Sequence, residues 1–595
     1  MKKWKKTKKL LSLFLCAAML SGLTACGNSD SQTKQSKPAE QEKTSESKDS
    51  TKGTQSESSK AEEVITLTVM GETGFDGVST DNAVGRYIKD KLGIVIEYTN
   101  VAADKLKVVA ASGELPDIVE MHEAGNMLQN LTDAGVLWSM DEWLESNGDN
   151  LKAYLGDALK YSKEVVGGGK TYFLPVQIQE KNEDVPNLNG FVGFFTRWDY
   201  YKELGCPELH SEDDYLNMLK QMVDAHPETA DGKKVYAFGA WIDWGLWPYT
   251  ICYPFSHGYN NLAGNQLYNQ VDDEIEDMFT DTDGIFWQGL AFFNKAYRMG
   301  IMDPEAFTMK YDQYEAKIRN GELLVGGCNW ISPDLPVCGE DAAMVLLPGV
   351  FPYASQIYPI EQSFGYMKGN ALVISANCKY PEKAMELLDF LNSDEGARLI
   401  STGIQGEDWD YVDGVPQMIG TRLENFISND TVEPGYASKT GGQGIDLYSF
   451  LKSRCDTNSA ADGYPLNLTK SKEYNLSSVT AGMQDFCDYY TDGKAQYPGE
   501  AYVWMVDQGM MDTVDAVPRA GTLMESLSDE ATRIASKADE YFQANIAKII
   551  TCEDDAAFQA QKQKMIDDVM AMGYQTVLDE VAEKFERAKN LADSF

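Results

Sequence analysis

Three tryptophans, at positions 241, 244 and 247, have the type and spacing that most suggest a binding chemistry. They lie in the stretch WIDWGLW, three residues apart. Sugars present flat C–H faces that pack on indole rings, and polar groups at the ring edge fix the hydroxyls. The alternative is that two of the three are core anchors, because tryptophan buries a large apolar area. We expect at least one of Trp241, Trp244 and Trp247 to face a cleft.

The composition and the motifs exclude several other chemistries. The 595-residue chain has 92 Asp and Glu against 52 Lys and Arg, a net charge of −40, which argues against binding nucleic-acid phosphates. Only four histidines are present, and no two have metal-ligand spacing, so a histidine zinc site is excluded. The GxSxG, HExxH and P-loop motifs are absent. A secreted glycoside hydrolase remains an alternative, because it needs only two suitably spaced carboxylates.

The N-terminus has the pattern of a lipoprotein signal peptide. Six lysines in residues 1–9 precede a short apolar run, and the run is followed by the lipobox-like Leu-Thr-Ala-Cys-Gly that ends at Gly27. We expect cleavage after residue 25 and lipidation of Cys26, for instance with palmitate, which would anchor the protein outside the cytoplasm at the cell membrane; ordinary signal cleavage is the alternative. Residues 27–63 contain no Val, Ile, Leu, Met or aromatic residue and are predicted to be a disordered tether.

The periodicity after residue 63 predicts an α/β fold. Short β-branched runs alternate with amphipathic stretches, which indicates parallel strands joined by helices. Ligands bind beyond the carboxyl ends of such strands, here residues 71–73 and 120–122. The predicted strands are 64–70, 94–98 and 118–121, and the predicted helices are 81–92, with Asp81 as N-cap and Gly93 closing it, and 103–112.

Longer amphipathic stretches predict helices later in the chain, including a helical C-terminal region. They comprise residues 284–299, 381–391, 529–548 and 555–590.

A series of short sequence motifs, here called phrases, occurs in an order that resembles one known family. The phrases are ASGELPDI at 111–118, GKTYFLP at 169–175, TRWDY at 196–200, GIMDPEAF at 300–307, VIS at 373–375, YPEKA at 380–384 and GIQGEDW at 403–409. Together they resemble the family 1 extracellular solute-binding proteins of ABC importers, especially the LipO/LplA-like lipoprotein branch, which is related to maltose-binding protein.

This resemblance implies an α/β, two-lobe, periplasmic-binding-protein-like fold with a hinge and a ligand cleft between the lobes. Lobe 1 would comprise 64–183 plus 365–412, and lobe 2 would comprise 184–364 plus 413–595. The implied function is that of a monomeric binding protein, not an enzyme and without a cofactor. It would capture a carbohydrate, most simply an oligosaccharide, and deliver it to the permease subunits of the importer.

The resemblance also implies a set of ligand-binding residues. Trp244 falls where an aromatic residue stacks on sugar in maltose-binding protein, and Trp330, with Asn329 beside it, falls at a second cleft tryptophan. Trp409 is expected either in the cleft or in the core, and Arg197 either binds a ligand carboxylate or pairs with Asp199. The expected hydroxyl partners are Glu72, His122, Asp243, Glu361 and Gln362.

Three questions stay open from the sequence. A peptide or an acidic sugar is an alternative ligand, because Arg197 would serve either. Some family members carry a calcium loop that resembles residues 226–235, but most oxygen ligands are missing here, which argues against calcium. Cys328 and Cys338 could form a disulfide, although the scattered cysteines are expected to be mostly buried thiols.

Overall fold

The computed structural model describes residues 64–71, 76–101, 103–121, 127–362, 371–420, 451–514 and 519–594. All of them belong to one compact unit that runs from Glu62 to Phe595. In these segments no helix is both long enough and apolar enough to cross a membrane.

The strands are short and are spread along the whole described chain. They are β1 (Ile65–Gly71), β2 (Gly77–Val78), β3 (Ile94–Asn100), β4 (Ile118–Met121), β5 (Phe173–Pro175), β6 (Val192–Arg197), β7 (Tyr259–Leu262), β8 (Gln266–Asn269), β9 (Glu274–Asp277), β10 (Val325–Cys328), β11 (Met344–Leu346), β12 (Tyr353–Ser355), β13 (Ala371–Ile374), β14 (Trp409–Val412), β15 (Val415–Met418) and β16 (Asp512–Val514).

The α-helices surround these strands and dominate the C-terminal part. They are α1 (Ala83–Leu92), α2 (Ala103–Ser112), α3 (Met127–Asp133), α4 (Asp141–Ser146), α5 (Asp149–Tyr154), α6 (Gly156–Tyr161), α7 (Trp198–Glu203), α8 (Glu212–Ala225), α9 (Trp247–Thr250), α10 (Ile285–Arg298), α11 (Tyr311–Arg319), α12 (Leu335–Cys338), α13 (Pro381–Asn392), α14 (Asp394–Thr402), α15 (Lys472–Ser477), α16 (Ala481–Thr491), α17 (Pro498–Asp507), α18 (Arg519–Leu523), α19 (Asp529–Ile550), α20 (Asp555–Met570) and α21 (Gln575–Ala592).

The first sheet confirms the predicted strand–helix–strand pattern. Its strand order is β2-β3-β1-β4-β13-β5, and β1 pairs in parallel with both β3 and β4. β13 runs antiparallel to its neighbours β4 and β5. Apolar side chains from β1, β3 and β4 pack against α1 and α13 in one continuous core. The alternation of apolar runs was therefore sufficient to predict β1, β3 and β4 with α1 and α2, but not the strands β2, β5 and β13 that complete the sheet.

Helix α1 begins two residues later than predicted. Asn82 caps it, because its side-chain oxygen accepts a hydrogen bond from the Gly85 N–H at 2.8 Å, whereas Asp81 belongs to the preceding 3₁₀ turn. Either carboxylate or amide oxygen satisfies a free N-terminal N–H, so residue type alone did not decide the cap. Gly93 closes the helix in the left-handed region, as predicted.

A second core is built around the sheet β10-β6-β11. β6 is the central strand, antiparallel to both neighbours, and each of its residues is buried. Aromatic side chains of α10 pack beside it, including Phe292 and Phe293 against Phe194. This core supplies the rigid body that carries the tryptophan cluster.

The predicted C-terminal helix 555–590 is wrong as a single element. It consists of α20 and α21, separated by a short turn in which Gly573 has a φ of 87°. A residue in that conformation ends a helix, and the amphipathic pattern on both sides hid the break. The two ends of α21 also serve different cores: Val577 packs in the second core, and Phe585 packs against residues of the first sheet.

Three stretches of chain, here called the connecting segments, run side by side between these cores: residues 176–191, 355–362 and 453–455. The Gln179 N–H donates to the Gln362 carbonyl at 3.1 Å, and the reverse bond is 2.7 Å. On the other side, the Ile178 N–H donates to the Ser453 carbonyl, and the Cys455 N–H donates to the Ile178 carbonyl, both at 2.8 Å. Two of these segments lie near the lobe crossings expected at residues 184 and 364.

Residues 452–470 contact helix α14, which belongs to the first core. Arg398, which is 4% exposed, pairs through both terminal nitrogens with Asp462, at 2.5 and 2.9 Å. Arg454 pairs with Asp394 at 2.8 Å. These contacts join residues 452–470 to the core of the first sheet, and the lobe boundaries stay a prediction.

Replacing Asp462 with Asn is expected to make the free energy of unfolding depend less on pH under acidic conditions. Burial alone would raise the pKa of Asp462, but hydrogen bonds from Arg398, Tyr411 and the Tyr464 N–H lower this pKa from 3.8 to about 2. Because the folded-state pKa lies below the unfolded one, the ionised carboxylate stabilises the fold above about pH 4, and this is lost as the pH falls toward about 2. The free energy of unfolding, measured with urea at pH 7 and at pH 3, should fall less between these two pH values for Asp462→Asn than for wild type. Parallel drops would contradict this, and exposed Asp413→Asn is the control.

The cysteines that the structure describes are all free thiols. The candidate disulfide is therefore not formed: Cys328 is buried in the second core, and the Cys338 thiol donates to the Arg319 carbonyl at 3.3 Å. Burial raises the pKa of most of these thiols, as expected for small apolar side chains.

Candidate functional site

A cleft of about 1660 Å³ lies between residues of both cores. One wall comes from the end of α2, residues 110–113, and from α3, two helices that pack with the first sheet in a cluster separate from α1 and α13. The second core contributes residues 244–250 and 260–265, and α19 contributes a third wall. Drug-sized pockets are usually about 300–1,000 Å³, so this cleft has room for a ligand of several rings.

Trp244 forms an aromatic platform on the cleft wall. Its side chain is 43% exposed and lines the cleft. The ring stacks on Tyr311, with the centroids 4.2 Å apart and the planes at 15°. Trp247 also lines the cleft, whereas Trp241 is 2% exposed and packs behind both of them. The tryptophan cluster is thus divided between one core anchor and two cleft residues.

The platform is held in place by its neighbours in the chain and in space. Asp243 is exposed, and its carboxylate accepts a hydrogen bond from the Tyr311 N–H at 2.9 Å, at the start of α11. Gly245 has a φ of 63°, and a Cβ there would lie 3.2 Å from the Gln543 side chain of α19. Asp243, predicted as a hydroxyl partner, is not among the described lining residues. Through its hydrogen bond with the Tyr311 N–H, Asp243 helps to hold the Tyr311 ring that stacks on Trp244.

Trp330 and Asn329 lie behind the same wall. Trp330 is 39% exposed, and its indole N–H donates to the Tyr311 hydroxyl at 2.6 Å. Its ring lies 5.8 Å from Phe191 and 6.1 Å from Trp247, and both of these residues line the cleft. The Asn329 side chain donates to the Gly190 carbonyl. Neither predicted residue is among the described lining residues, and both support side chains that are.

Glutamines of the connecting segments form the floor of the cleft. Gln177, Gln179, Gln356 and Gln362 all line it. Gln362 is 7% exposed, and its side-chain NH₂ has no hydrogen-bond partner among the residues that the structure describes. Gln177 and Gln356 have φ values of 67° and 51°, a conformation that costs energy in residues other than glycine and tends to occur at functional sites. Of these four glutamines, the sequence predicted only Gln362. The repeat Gln-Ile-Gln at 177–179, one residue after β5, was the missed signal.

Arg197 is not a cleft residue. It is 1% exposed, and it makes two hydrogen bonds with Asp199, at 2.8 and 2.6 Å. Its guanidinium also stacks over Tyr200, 4.4 Å from the ring centre. Burial alone would lower the pKa of Arg197, but Asp199 raises it, so the charge is retained. The structure therefore places Arg197 in the ion pair that was the alternative to a ligand clamp.

Trp409 and Glu361 also lie away from the cleft lining. Trp409 is 7% exposed, donates its indole N–H to the Gly403 carbonyl at 3.1 Å, and packs with Met418 and Leu468 in a small separate core. Of the two expected positions for Trp409, the core is therefore the observed one. Glu361 is exposed and is not among the described lining residues, in contrast to its neighbour Gln362.

The expected contribution of the strand ends is only partly described. Glu72, His122 and Cys26 lie outside the residues that the structure describes. Gly71, Glu120 and Met121, at the same strand ends, are buried and do not line the cleft, so the described first-core wall consists of α2 and α3 instead. The expectation that the carboxyl ends of the parallel strands contact the ligand depends on Glu72 and His122 and stays a prediction.

Helix α19 gives the cleft an acidic wall that the sequence analysis did not identify. Asp529, Asp539 and Glu540 line the cleft from this helix, and Glu525 lines it just before the helix begins. Burial raises the pKa of the Asp539 carboxyl, whose oxygen accepts a hydrogen bond from Gln543 at 2.5 Å. Among the lining residues that the structure describes, none is Lys, Arg or His. The cleft is therefore neutral to acidic.

The segment that resembles a calcium loop contains its own cation. The Lys233 ammonium lies 2.8 Å from Glu322 and 3.7 Å from Asp231. Within the described part of the chain, no group of three or more His, Cys, Asp or Glu residues is placed to hold a metal ion.

Comparison with known proteins gives a match at the level of the family. A family model described as bacterial extracellular solute-binding protein matches residues 77–398, more than half of the chain. The fructooligosaccharide ABC transporter substrate-binding protein FusA of Streptococcus pneumoniae is 22% identical over 237 residues, which is 39% of this chain and 43% of that protein. The matched part thus spans less than half of the relative.

Solved structures show the same fold. FusA, as an EF-hand mutant in complex with fructo-nystose, has a TM-score of 0.56 at 15% identity, over 89% of this chain and all of that one. An extracellular solute-binding protein from Bifidobacterium longum subsp. infantis gives 0.55 at 14% identity, with 89% and 100% covered. The alginate-binding protein AlgQ2 without calcium gives 0.54 at 14% identity, with 88% and 99% covered. The expected two-lobe, periplasmic-binding-protein-like fold is confirmed.

Proposed function

The chain belongs to the bacterial extracellular solute-binding protein family, and we propose that it is the substrate-binding lipoprotein of an ABC importer that captures an oligosaccharide. The single observation that carries this proposal is the half-exposed Trp244, stacked on Tyr311 at the wall of a large cleft. A ring held in this way is a rigid, flat apolar surface, which matches the C–H face of a sugar.

The floor of the cleft supports the same class of ligand. An amide group both donates and accepts hydrogen bonds, as a sugar hydroxyl does, and the glutamines of the connecting segments provide several amides together. The buried NH₂ of Gln362 lacks a partner within the described part of the chain, and a buried donor gains most when a ligand oxygen satisfies it. The name of the relative, a fructooligosaccharide transporter protein, agrees with this reading.

We infer a mechanism of capture and release without chemistry. A ligand that touches α2 and α3 on one side and Trp244 on the other stabilises the closed arrangement of the two lobes. The connecting segments, strained at Gln177 and Gln356, are the natural place for the hinge. The closed form is then the state that the permease recognises, and lipid on Cys26 would keep the loaded monomer near the membrane.

The competing functions make different predictions about one experiment. The chain from residue 27 onward is titrated with a panel of oligosaccharides and of peptides of similar length, and binding is followed by tryptophan fluorescence. We expect at least one oligosaccharide to change the fluorescence saturably, because Trp244 and Trp247 line the cleft. Thin-layer chromatography after overnight incubation should recover that sugar unchanged. Cleavage products would favour the glycoside hydrolase, and a response to peptides alone would favour a peptide binder.

A further inference from the structure

We propose that the cleft selects its oligosaccharide by charge: it accepts neutral or amine-bearing sugars and rejects sugars that carry carboxylates. This inference rests on the proposed function and extends it to the class of sugar. It decides between the neutral and the acidic ligands that the sequence left open, because Arg197, the residue that suggested an acidic ligand, is paired in the interior.

The face that α19 turns to the cleft is acidic and lacks compensating cations. Its lining residues, at 529, 532, 535, 536, 539, 540 and 543, follow the three-to-four-residue period of a helix, so they share one face of α19. The two cations in this part of the helix, Arg533 and Lys537, are exposed and do not line the cleft. The arrangement of the helix therefore directs negative charge inward and positive charge outward.

Three of the four acidic side chains of this wall have described contacts, and these contacts differ. Glu525 pairs with Arg587 at 2.9 Å, so its charge is partly balanced. Asp539 accepts a hydrogen bond only from the neutral amide of Gln543 among the described contacts, and Glu540 has no described cation within ion-pair distance. Among the lining acids whose contacts are described, Asp539 and Glu540 thus carry negative charge without a described cation. Gln543, which donates to Asp539, lies beside Gly245 of the turn that carries Trp244.

The rest of the lining that the structure describes contains no cationic side chain that would hold a carboxylate. Moving a carboxylate from water into a cleft costs free energy unless a cation or several strong donors replace its hydration. The described lining has amides, hydroxyls and apolar groups but no Lys, Arg or His. The unpartnered NH₂ of Gln362 is a neutral donor, which suits a sugar hydroxyl and does not balance a charge.

The net charge of the whole chain acts in the same direction. At −40 the protein repels anions as they approach, although salt screens this long-range part. The short-range repulsion by Asp539 and Glu540 inside the cleft is screened less. Discrimination by the cleft itself should therefore persist at 0.5 M NaCl, whereas discrimination by net charge alone should largely disappear.

The test compares sugars that share a backbone but differ in charge. Suitable pairs are β-1,4-mannotetraose with the mannuronate tetramer, galactotetraose with the galacturonate tetramer, and chitotetraose with its de-N-acetylated form. Dissociation constants are measured by calorimetry at 0.15 M and 0.5 M NaCl. We expect the best carboxylated sugar to bind at least tenfold more weakly than its neutral partner at both salt concentrations. A carboxylated sugar that binds as tightly as its neutral partner would overturn the inference.

A double variant tests the residues responsible. The double variant Asp539→Asn with Glu540→Gln should reduce the ratio of the dissociation constant of the carboxylated sugar to that of its neutral partner at least threefold. The matched control, Glu530→Gln with Glu553→Gln, makes the same charge change at exposed positions outside the cleft and should leave the ratio unchanged. If both double variants reduced this ratio equally, the net charge of the protein, and not the cleft wall, would be responsible for the preference for neutral sugars. If none of the sugars bound, the proposed function itself would be overturned, and the inference with it.

Discussion

Replacing Trp244 with Ala is expected to weaken oligosaccharide binding by about 30-fold, while the melting temperature falls by no more than about 2 °C. Tryptophans at the centre of binding sites commonly contribute about 2 kcal/mol or more, and each 1.4 kcal/mol is tenfold in affinity. The loss of stability is small because Trp244 is already 43% exposed and covers only one face of Tyr311. Calorimetric titration and thermal unfolding of the same preparation measure both effects.

Two matched variants make the Trp244 result interpretable. Trp244→Phe keeps a flat ring and should retain most of the affinity, whereas Ile242→Ala removes an exposed apolar side chain beside it and should change neither quantity. Trp241→Ala, by contrast, should destabilise the protein strongly, because that ring is buried beneath the cluster. Unchanged affinity in Trp244→Ala would show that the platform does not hold the ligand.

Replacing Arg197 with Ala is expected to destabilise the protein by about 3 kcal/mol without a selective loss of binding. The substitution leaves the Asp199 carboxylate, which accepts two bonds from Arg197, without its partner in a largely buried site. Removing one member of a buried pair typically costs about 3–5 kcal/mol, and Asp199 retains some access to water. Denaturant unfolding measures the loss, and titration below the unfolding transition shows whether the folded fraction still binds.

The controls separate the two interpretations of Arg197. Arg197→Lys keeps the charge but loses the two-point geometry, so its stability should lie between wild type and Arg197→Ala. Arg319→Ala removes an arginine whose pairing with Glu315 is more exposed and should cost less. A fully stable Arg197→Ala protein that had lost only its affinity would mean that the arginine reaches the ligand.

The sequence was sufficient for the elements that depend on local pattern. The strands β1, β3 and β4 alternate with α1 and α2, and each has a hydrophobic period and a terminating residue that can be read directly. The parallel pairing of these three strands follows, because short links between such elements permit few topologies. The seven short phrases led to the prediction of the family, and the match of the family model over residues 77–398 confirms this prediction.

The cleft depends on contacts between residues that are far apart in the chain. Gln179 lies beside Gln362, and Gly245 lies beside Gln543, but no local pattern specifies either neighbour. The same limit explains Arg197 and Trp409, whose residue types suit a ligand site as well as a buried one until their partners are known. The acidic face of α19 was visible as a helical repeat, yet its orientation toward the cleft was not.

Small-angle X-ray scattering of the chain, with and without the tightest-binding sugar of the panel, tests most directly whether the two lobes close on a ligand. A radius of gyration that decreases as the sugar saturates the protein, with the sugar recovered intact from the same sample, is the predicted result. A radius that stays constant at full occupancy, or a sugar recovered as fragments, would contradict the mechanism of capture and release.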